Sequence, residues 1–148
     1  MKSKEFTLES PQGPVSLSAF RGKWVVLYFY PKDDTPGCTI EAEEFTKLAK
    51  AFEERNAVTL GVSRDSCESH MQFIGKYSLN VRLLSDPDCV VQKEYGAWGK
   101  KILYGKPMMG TLRSTFLIDP KGEIAREWKL VKPEGHAQEV LDILKTMQ

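Results

Sequence analysis

The chain has 148 residues, 41% of them hydrophobic and 28% charged, the usage of an ordinary globular protein able to build one core. Lysine and arginine total 21 against 20 for aspartate and glutamate, so no global field draws the chain to nucleic acid or an anionic membrane, and partner recognition has to be local. The N-terminus shows neither an apolar signal core nor an Arg-rich transit segment, and no apolar run approaches the roughly 18 residues of a membrane span; the expectation is a cytoplasmic, single-domain protein over residues 1–148.

In chain order, Phe6 to Leu8 and Val15 to Leu17 flank Pro11-Gln12-Gly13-Pro14 and read as a hairpin. Trp24 to Tyr30 is continuously apolar, β-branched and aromatic, the pattern of a central strand covered on both faces. Ala42, Phe45, Leu48, Ala49 and Phe52 then recur at helical spacing, and the helix begins near Pro36, with Thr35 as a natural N-cap. Val58 to Val62 forms the next strand. Asp65 and Glu68 resemble a capping box opening a second helix to Tyr77, with Met71, Ile74 and Tyr77 or Ser78 facing inward. Val81 to Leu84 is a further short strand, Asp86-Pro87 starts a third helix through about Tyr95, and Gly96 to Gly110 is loop-rich. Thr115 to Ile118 and Ile124 to Trp128 straddle Asp119-Pro120-Lys121-Gly122 as a closing hairpin, and a terminal helix carries Ala137, Val140, Leu141, Leu144 and Met147 on one face. Helices and strands alternating in this way predict a three-layer α/β fold.

Three cysteines cannot close a disulfide framework, and in a reducing compartment they are catalytic, redox-active or simply buried. No Cys-x-x-Cys occurs, which argues against a dithiol oxidoreductase, and no Gly-rich phosphate loop is present, so no nucleotide or other cofactor is expected. Cys38 stands apart. Placed as the third residue of a helix that follows a core strand, it faces unpaired backbone N–H groups and the positive end of the helix dipole, a setting that favours thiolate over thiol. Cys67 and Cys89 also fall in predicted first turns, but each lies among carboxylates (Asp65 and Glu68; Asp86 and Asp88) that oppose ionisation, so neither is the expected primary nucleophile.

The words Tyr28-Phe29-Tyr30-Pro31-Lys32-Asp33, Thr35-Pro36-Gly37-Cys38-Thr39, Gly61-Val62-Ser63, Leu84-Ser85-Asp86, Leu103-Tyr104-Gly105-Lys106 and Arg113-Ser114-Thr115-Phe116-Leu117-Ile118-Asp119, in this order, resemble the peroxiredoxins of the bacterioferritin comigratory protein (PrxQ) branch. The resemblance runs from about Glu5 to the C-terminus. It implies a thioredoxin-like fold with an N-terminal hairpin and a peroxidase acting on hydrogen peroxide and organic hydroperoxides, recycled by thioredoxin or another thiol reductant. It further implies that Cys38 is the peroxidatic nucleophile, that Thr35 hydrogen-bonds to the reacting atoms, that Pro31 shields the sulfur and that Arg113 supplies the cation. Two departures stand out: Met1-Lys2-Ser3-Lys4 replaces a longer lead-in, and Glu43 occupies the position where many members carry a resolving cysteine. Some relatives resolve through the helix that here starts at Cys67, so Cys67 is the favoured resolving candidate and Cys89 the second. The expected assembly is a monomer or at most a weak dimer.

Other readings remain at this level. Trp98 and Tyr104 either wall the site or act as packing anchors. Cys67-x-x-His70 with Cys89 and His136 is the spacing of a weak metal-binding or redox-sensing site, against which stands a solvent-facing His70. A thioredoxin-fold interaction module without chemistry requires an unreactive Cys38.

Overall fold

The structure, a computed structural model, describes residues 1–148 apart from the side chain of Leu103. Its strands are β1 (Thr7–Leu8), β2 (Val15–Ser16), β3 (Trp24–Phe29), β4 (Ala57–Ser63), β5 (Arg82–Ser85), β6 (Trp98–Leu103), β7 (Lys106–Thr111), β8 (Ser114–Ile118) and β9 (Ile124–Trp128). Its α-helices are α1 (Pro36–Lys47), α2 (Ala49–Glu54), α3 (Cys67–Tyr77), α4 (Val90–Glu94) and α5 (His136–Thr146). Five strands make the central sheet in the order β5-β4-β3-β8-β9. β3 runs parallel to β4 and antiparallel to β8, with Phe29 opposite Ser114.

The apolar run at β3 is explained by its neighbours on both faces. Val26, Tyr28 and Tyr30 enter a core with Phe45 of α1, Phe52 of α2, Phe73 of α3 and Val140, Leu141 and Leu144 of α5. Val25, Leu27 and Phe29 enter a second core under the β1–β2 hairpin and α4, with Phe6, Leu17, Val91 and Tyr95. Strand side chains alternate between faces, so a strand buried on both must be apolar at every position. Each of these apolar side chains, where fully buried, contributes roughly 1.5–3 kcal/mol of transfer free energy.

Several expectations need correction. The helix expected through Phe52 is two helices that meet at Leu48 (φ −97°, ψ 3°). α3 starts at Cys67, not Asp65; its cap is Ser66, whose hydroxyl accepts from the Ser69 N–H. His70 and Phe73 are the buried residues of α3, with Ile74 and Tyr77 packed against the same core as expected, while Met71 is 58% exposed. The segment from Gly96 to Gly110 is mostly the β6–β7 hairpin, closed by Tyr104 and Gly105 at φ 52° and 77°, the paired left-handed conformation of a type I′ turn. α4 begins at Val90, so Cys89 precedes the helix, in a left-handed conformation at φ 58°.

Candidate active site

β3 delivers the chain to a loop, Pro31 to Thr35, which turns into α1 at the edge where the parallel strands end. Thr35 holds the N-cap position with extended backbone and Pro36 the first helical position, but the Thr35 hydroxyl makes no cap bond and donates instead to the Lys32 carbonyl at 2.8 Å. The first helical bond is donated by Thr39 N–H to Thr35 O at 2.8 Å, which leaves the N–H groups of Gly37 and Cys38 directed out of the first turn. Cys38 is 2% exposed.

Arg113, just ahead of β8, reaches this turn because β3 and β8 are antiparallel, so the end of one strand lies beside the start of the other. Its Nη2 donates to the Cys38 sulfur at 3.3 Å and its Nη1 to Glu41 Oε1 at 2.7 Å. The planar fork of arginine serves both acceptors at once. Gly37 leaves room for it: a Cβ there would lie 3.2 Å from Arg113 Nη2 and 3.3 Å from Pro133 Cγ. Burial works against the Arg113 charge, yet Glu41 and the Cys38 sulfur together hold its pKa above the usual value. Glu41 is fully buried with Oε2 unpartnered, and burial outweighs Arg113 to push its pKa up to about 7. The sequence offered only a faint pointer to Glu41, its position one helical turn after Cys38 on the same face.

The other candidates divide. Pro31 and Trp98 line a cavity of about 140 Å³ with Arg64, Lys101, Met108 and Met109. Tyr104 sits at the hairpin tip, 96% exposed, and neither walls the site nor anchors packing. All three cysteines are free thiols. Cys67 is the first residue of α3 and half-buried; burial chiefly, then Glu9, raises its pKa, in place of the Asp65 and Glu68 effect expected. The Cys89 thiol is pushed up first by burial, with Asp86 and Asp88 adding to it against Arg64 and Lys93.

His70 is not solvent-facing. It is fully buried, with Nδ1 2.7 Å from Asp33 Oδ2 and Nε2 2.9 Å from the Leu84 carbonyl. His136 has Nε2 against Thr115 Oγ1 at 2.8 Å and Nδ1 against Glu139 at 3.0 Å. Both rings are thus occupied on both nitrogens by protein groups, and neither presents a lone pair to a metal shared with Cys67 and Cys89.

Fold and cysteine placement together define a thioredoxin-like α/β protein that carries a buried, arginine-paired thiol at a helix start. The AhpC/TSA family profile matches residues 1–127. The bcp protein of Helicobacter pylori strain J99 is 50% identical over 141 residues, 95% of this chain and 93% of its own. Peroxiredoxin Bcp of Bacillus subtilis is 44% identical over 147 residues, 99% of this chain and 94% of its own. A structure of the Xanthomonas campestris bacterioferritin comigratory protein, solved to study its alkyl peroxide reduction, superposes with a TM-score of 0.93 at 41% identity, covering 97% of this chain and 91% of that one. The chain belongs to the AhpC/TSA family and is a peroxiredoxin of its Bcp/PrxQ branch, a thiol peroxidase.

Proposed function

We propose that Cys38 is the peroxidatic cysteine of this peroxidase and that Thr35, Pro31 and Arg113 complete its site. The observation that carries the assignment is the Arg113 Nη2 to Cys38 Sγ contact at 3.3 Å, made across 75 residues of sequence. In the reaction the Cys38 thiolate attacks one oxygen of ROOH: an S–O bond forms, the O–O bond breaks, and the leaving alkoxide or hydroxide takes up a proton. The products are Cys38–SOH and ROH, with sulfur oxidised and peroxide reduced. The Arg113 guanidinium and the free Gly37 and Cys38 N–H groups face the place where negative charge develops on oxygen. The Thr35 hydroxyl, already donating to Lys32, keeps its lone pairs for the O–H of the peroxide. Pro31, which has no N–H to compete for the peroxide, has the proposed role of shielding the sulfur from the side of the cavity that it lines with Arg64 and Trp98.

The second half-reaction condenses the sulfenic acid with a thiol, releasing water and forming a disulfide. Cys67 is the proposed resolving thiol, ahead of Cys89, because it opens the helix that packs on the Pro31–Thr35 loop. Thioredoxin or another thiol reductant then restores both thiols. The working unit proposed is a monomer of one domain, 1–148, in the cytoplasm; no helix is long and apolar enough to cross a membrane.

Peptide mapping after one equivalent of peroxide tests these roles together. Oxidation at Cys38, a Cys38 to Cys67 disulfide in the wild type, and no thiol-dependent turnover in Cys38→Ser are the expected results. Turnover surviving in Cys38→Ser removes the nucleophile assignment. A disulfide to Cys89 or to an added small thiol removes only that of Cys67.

A further inference from the structure

The loop in front of Cys38 is held less by its own helix than by α3. Asp33, 7% exposed, accepts from the Tyr30 hydroxyl at 2.6 Å through Oδ1, and through Oδ2 from Ser69 Oγ at 2.8 Å, with His70 Nδ1 2.7 Å from that same oxygen. The Asp33 N–H donates to Asp65 Oδ2 at 2.9 Å, an oxygen that also accepts from Ser63 Oγ at 2.6 Å. On the outer side Asp34 is gripped by Lys76 Nζ at 2.8 Å and the Tyr77 hydroxyl at 2.6 Å. Ser69, His70, Lys76 and Tyr77 all belong to α3. A carbonyl oxygen can only accept, so His70 donates through Nε2 to Leu84 and meets Asp33 through Nδ1. His70 thereby rivets Asp33 to the backbone of β5 in the buried interior, where an unpartnered carboxylate or imidazole is strongly disfavoured.

None of these groups touches the sulfur, and the proposed peroxide chemistry does not use them. They do bear on the fate of the sulfenic acid. Cys38 is almost fully buried, so a second thiol reaches its sulfenic acid only when the Pro36 to Thr39 turn opens, and the loop that leads into that turn is anchored through Asp33.

We propose that Asp33, Ser69 and His70 are positioning residues forming a latch, which holds the Cys38 turn closed for peroxide attack and sets the rate at which the sulfenic acid becomes accessible to a second thiol. This rests on Cys38 being the peroxidatic cysteine. The latch governs a competition between two balanced steps. With the turn open, Cys38–SOH and RSH give the disulfide and water. With it closed, Cys38–SOH and a second ROOH give the sulfinic acid and ROH, sulfur being oxidised further. A tighter latch favours over-oxidation and a looser one favours resolution.

The test uses the full chain with a small thiol of fixed concentration as the resolving probe, comparing wild type, Ser69→Ala, His70→Asn and His70→Ala. Oxidation of Cys38 by one equivalent of hydrogen peroxide, sulfenic acid decay and sulfinic acid yield at excess peroxide are followed by mass spectrometry. Sulfenic acid decay through the small thiol should accelerate at least threefold in Ser69→Ala and about tenfold or more in His70→Ala. Sulfinic acid yield should fall in parallel. His70→Asn, which keeps a donor toward Asp33, should lie between wild type and His70→Ala. A purely structural role would lower melting temperature without moving the ratio of disulfide to sulfinic acid, and an unchanged ratio overturns the latch. If the His70 variants do not fold, Ser69→Ala decides by the same ratio. A wild type that forms no sulfenic acid at Cys38 would instead remove the peroxidatic assignment, and the latch with it.

Discussion

Replacing Arg113 with lysine keeps one positive charge but removes the fork. In the native site one guanidinium bonds Glu41 Oε1 at 2.7 Å and the Cys38 sulfur at 3.3 Å. The side chain is only 16% exposed and its Glu41 partner 0%, so solvent does little to screen either bond. A lysine has a single nitrogen on a flexible stem. If that nitrogen stays with buried Glu41, which needs a partner most, the sulfur and the incoming peroxide lose theirs. A charge-assisted hydrogen bond is worth about 1.5–3 kcal/mol, and its loss from the transition state lowers the rate about 10- to 150-fold. The assay is single-turnover oxidation of Cys38 by hydrogen peroxide, followed by stopped-flow intrinsic fluorescence and read as a second-order rate constant. A folded Arg113→Lys protein within about twofold of wild type would refute the idea that the fork acts on the reacting atoms.

Glu41→Gln should change how stability depends on pH. The carboxyl ionises at about 7 in the fold against an ordinary value of 4.5, so its raised pKa contributes stability that is fully present below 4.5 and lost as pH rises through 7. From the size of that shift, wild type should lose on the order of 3 kcal/mol relative to Glu41→Gln between pH 4.5 and 8 in urea titrations; parallel curves for the two proteins would show that Glu41 does not titrate there. Gly61→Ala should strain the core, because a Cβ would lie 2.7 Å from Tyr28 Cζ, 2.8 Å from its hydroxyl and 2.9 Å from Leu83 Cδ2. The expected cost is about 1–3 kcal/mol, measured by thermal or urea unfolding, and a variant as stable as wild type would mean that β4 can shift away from Tyr28.

What could be read directly from the sequence was whatever rests on a local pattern. The Trp24 to Tyr30 run marked the central strand because both cores draw on it, and the Thr35-Pro36-Gly37-Cys38 turn marked the helix start. The inner face of α3 was only partly legible: Ile74 and Tyr77 do pack against the core, but a polar residue, His70, fills a buried slot that apolar periodicity assigns to a hydrophobe, pushing the expectation onto Met71. The β6–β7 hairpin was missed for the opposite reason: it joins no other strand, exposes Ile102, Met108 and Met109, and so carries little of the alternation that burial imposes. Its Tyr104-Gly105 turn was the available cue. Glu41 and Asp33 could not be recognised as buried, since a carboxylate enters a core only with partners, and those partners, Arg113 and His70, are distant in sequence.

The antiparallel pairing of β3 with β8 leaves exposed connections between them, such as the tip of the β6–β7 hairpin, free to vary. Five ladder pairs, from Val25 with Ile118 to Phe29 with Ser114, set the spacing that brings Arg113 to Cys38, so the two function as if welded to one girder whatever the detour between them. Doubling the length of an exposed connection such as the Tyr104-Gly105 tip costs only about 0.6 kcal/mol in closure entropy and leaves the thiol and guanidinium where they are. Deleting one residue inside β8 would instead turn Arg113 to the opposite side of the sheet. Lineages of this chain can therefore lengthen such exposed connections by insertion, while the distance between thiol and guanidinium stays gauged by a strand pair that tolerates no change of length.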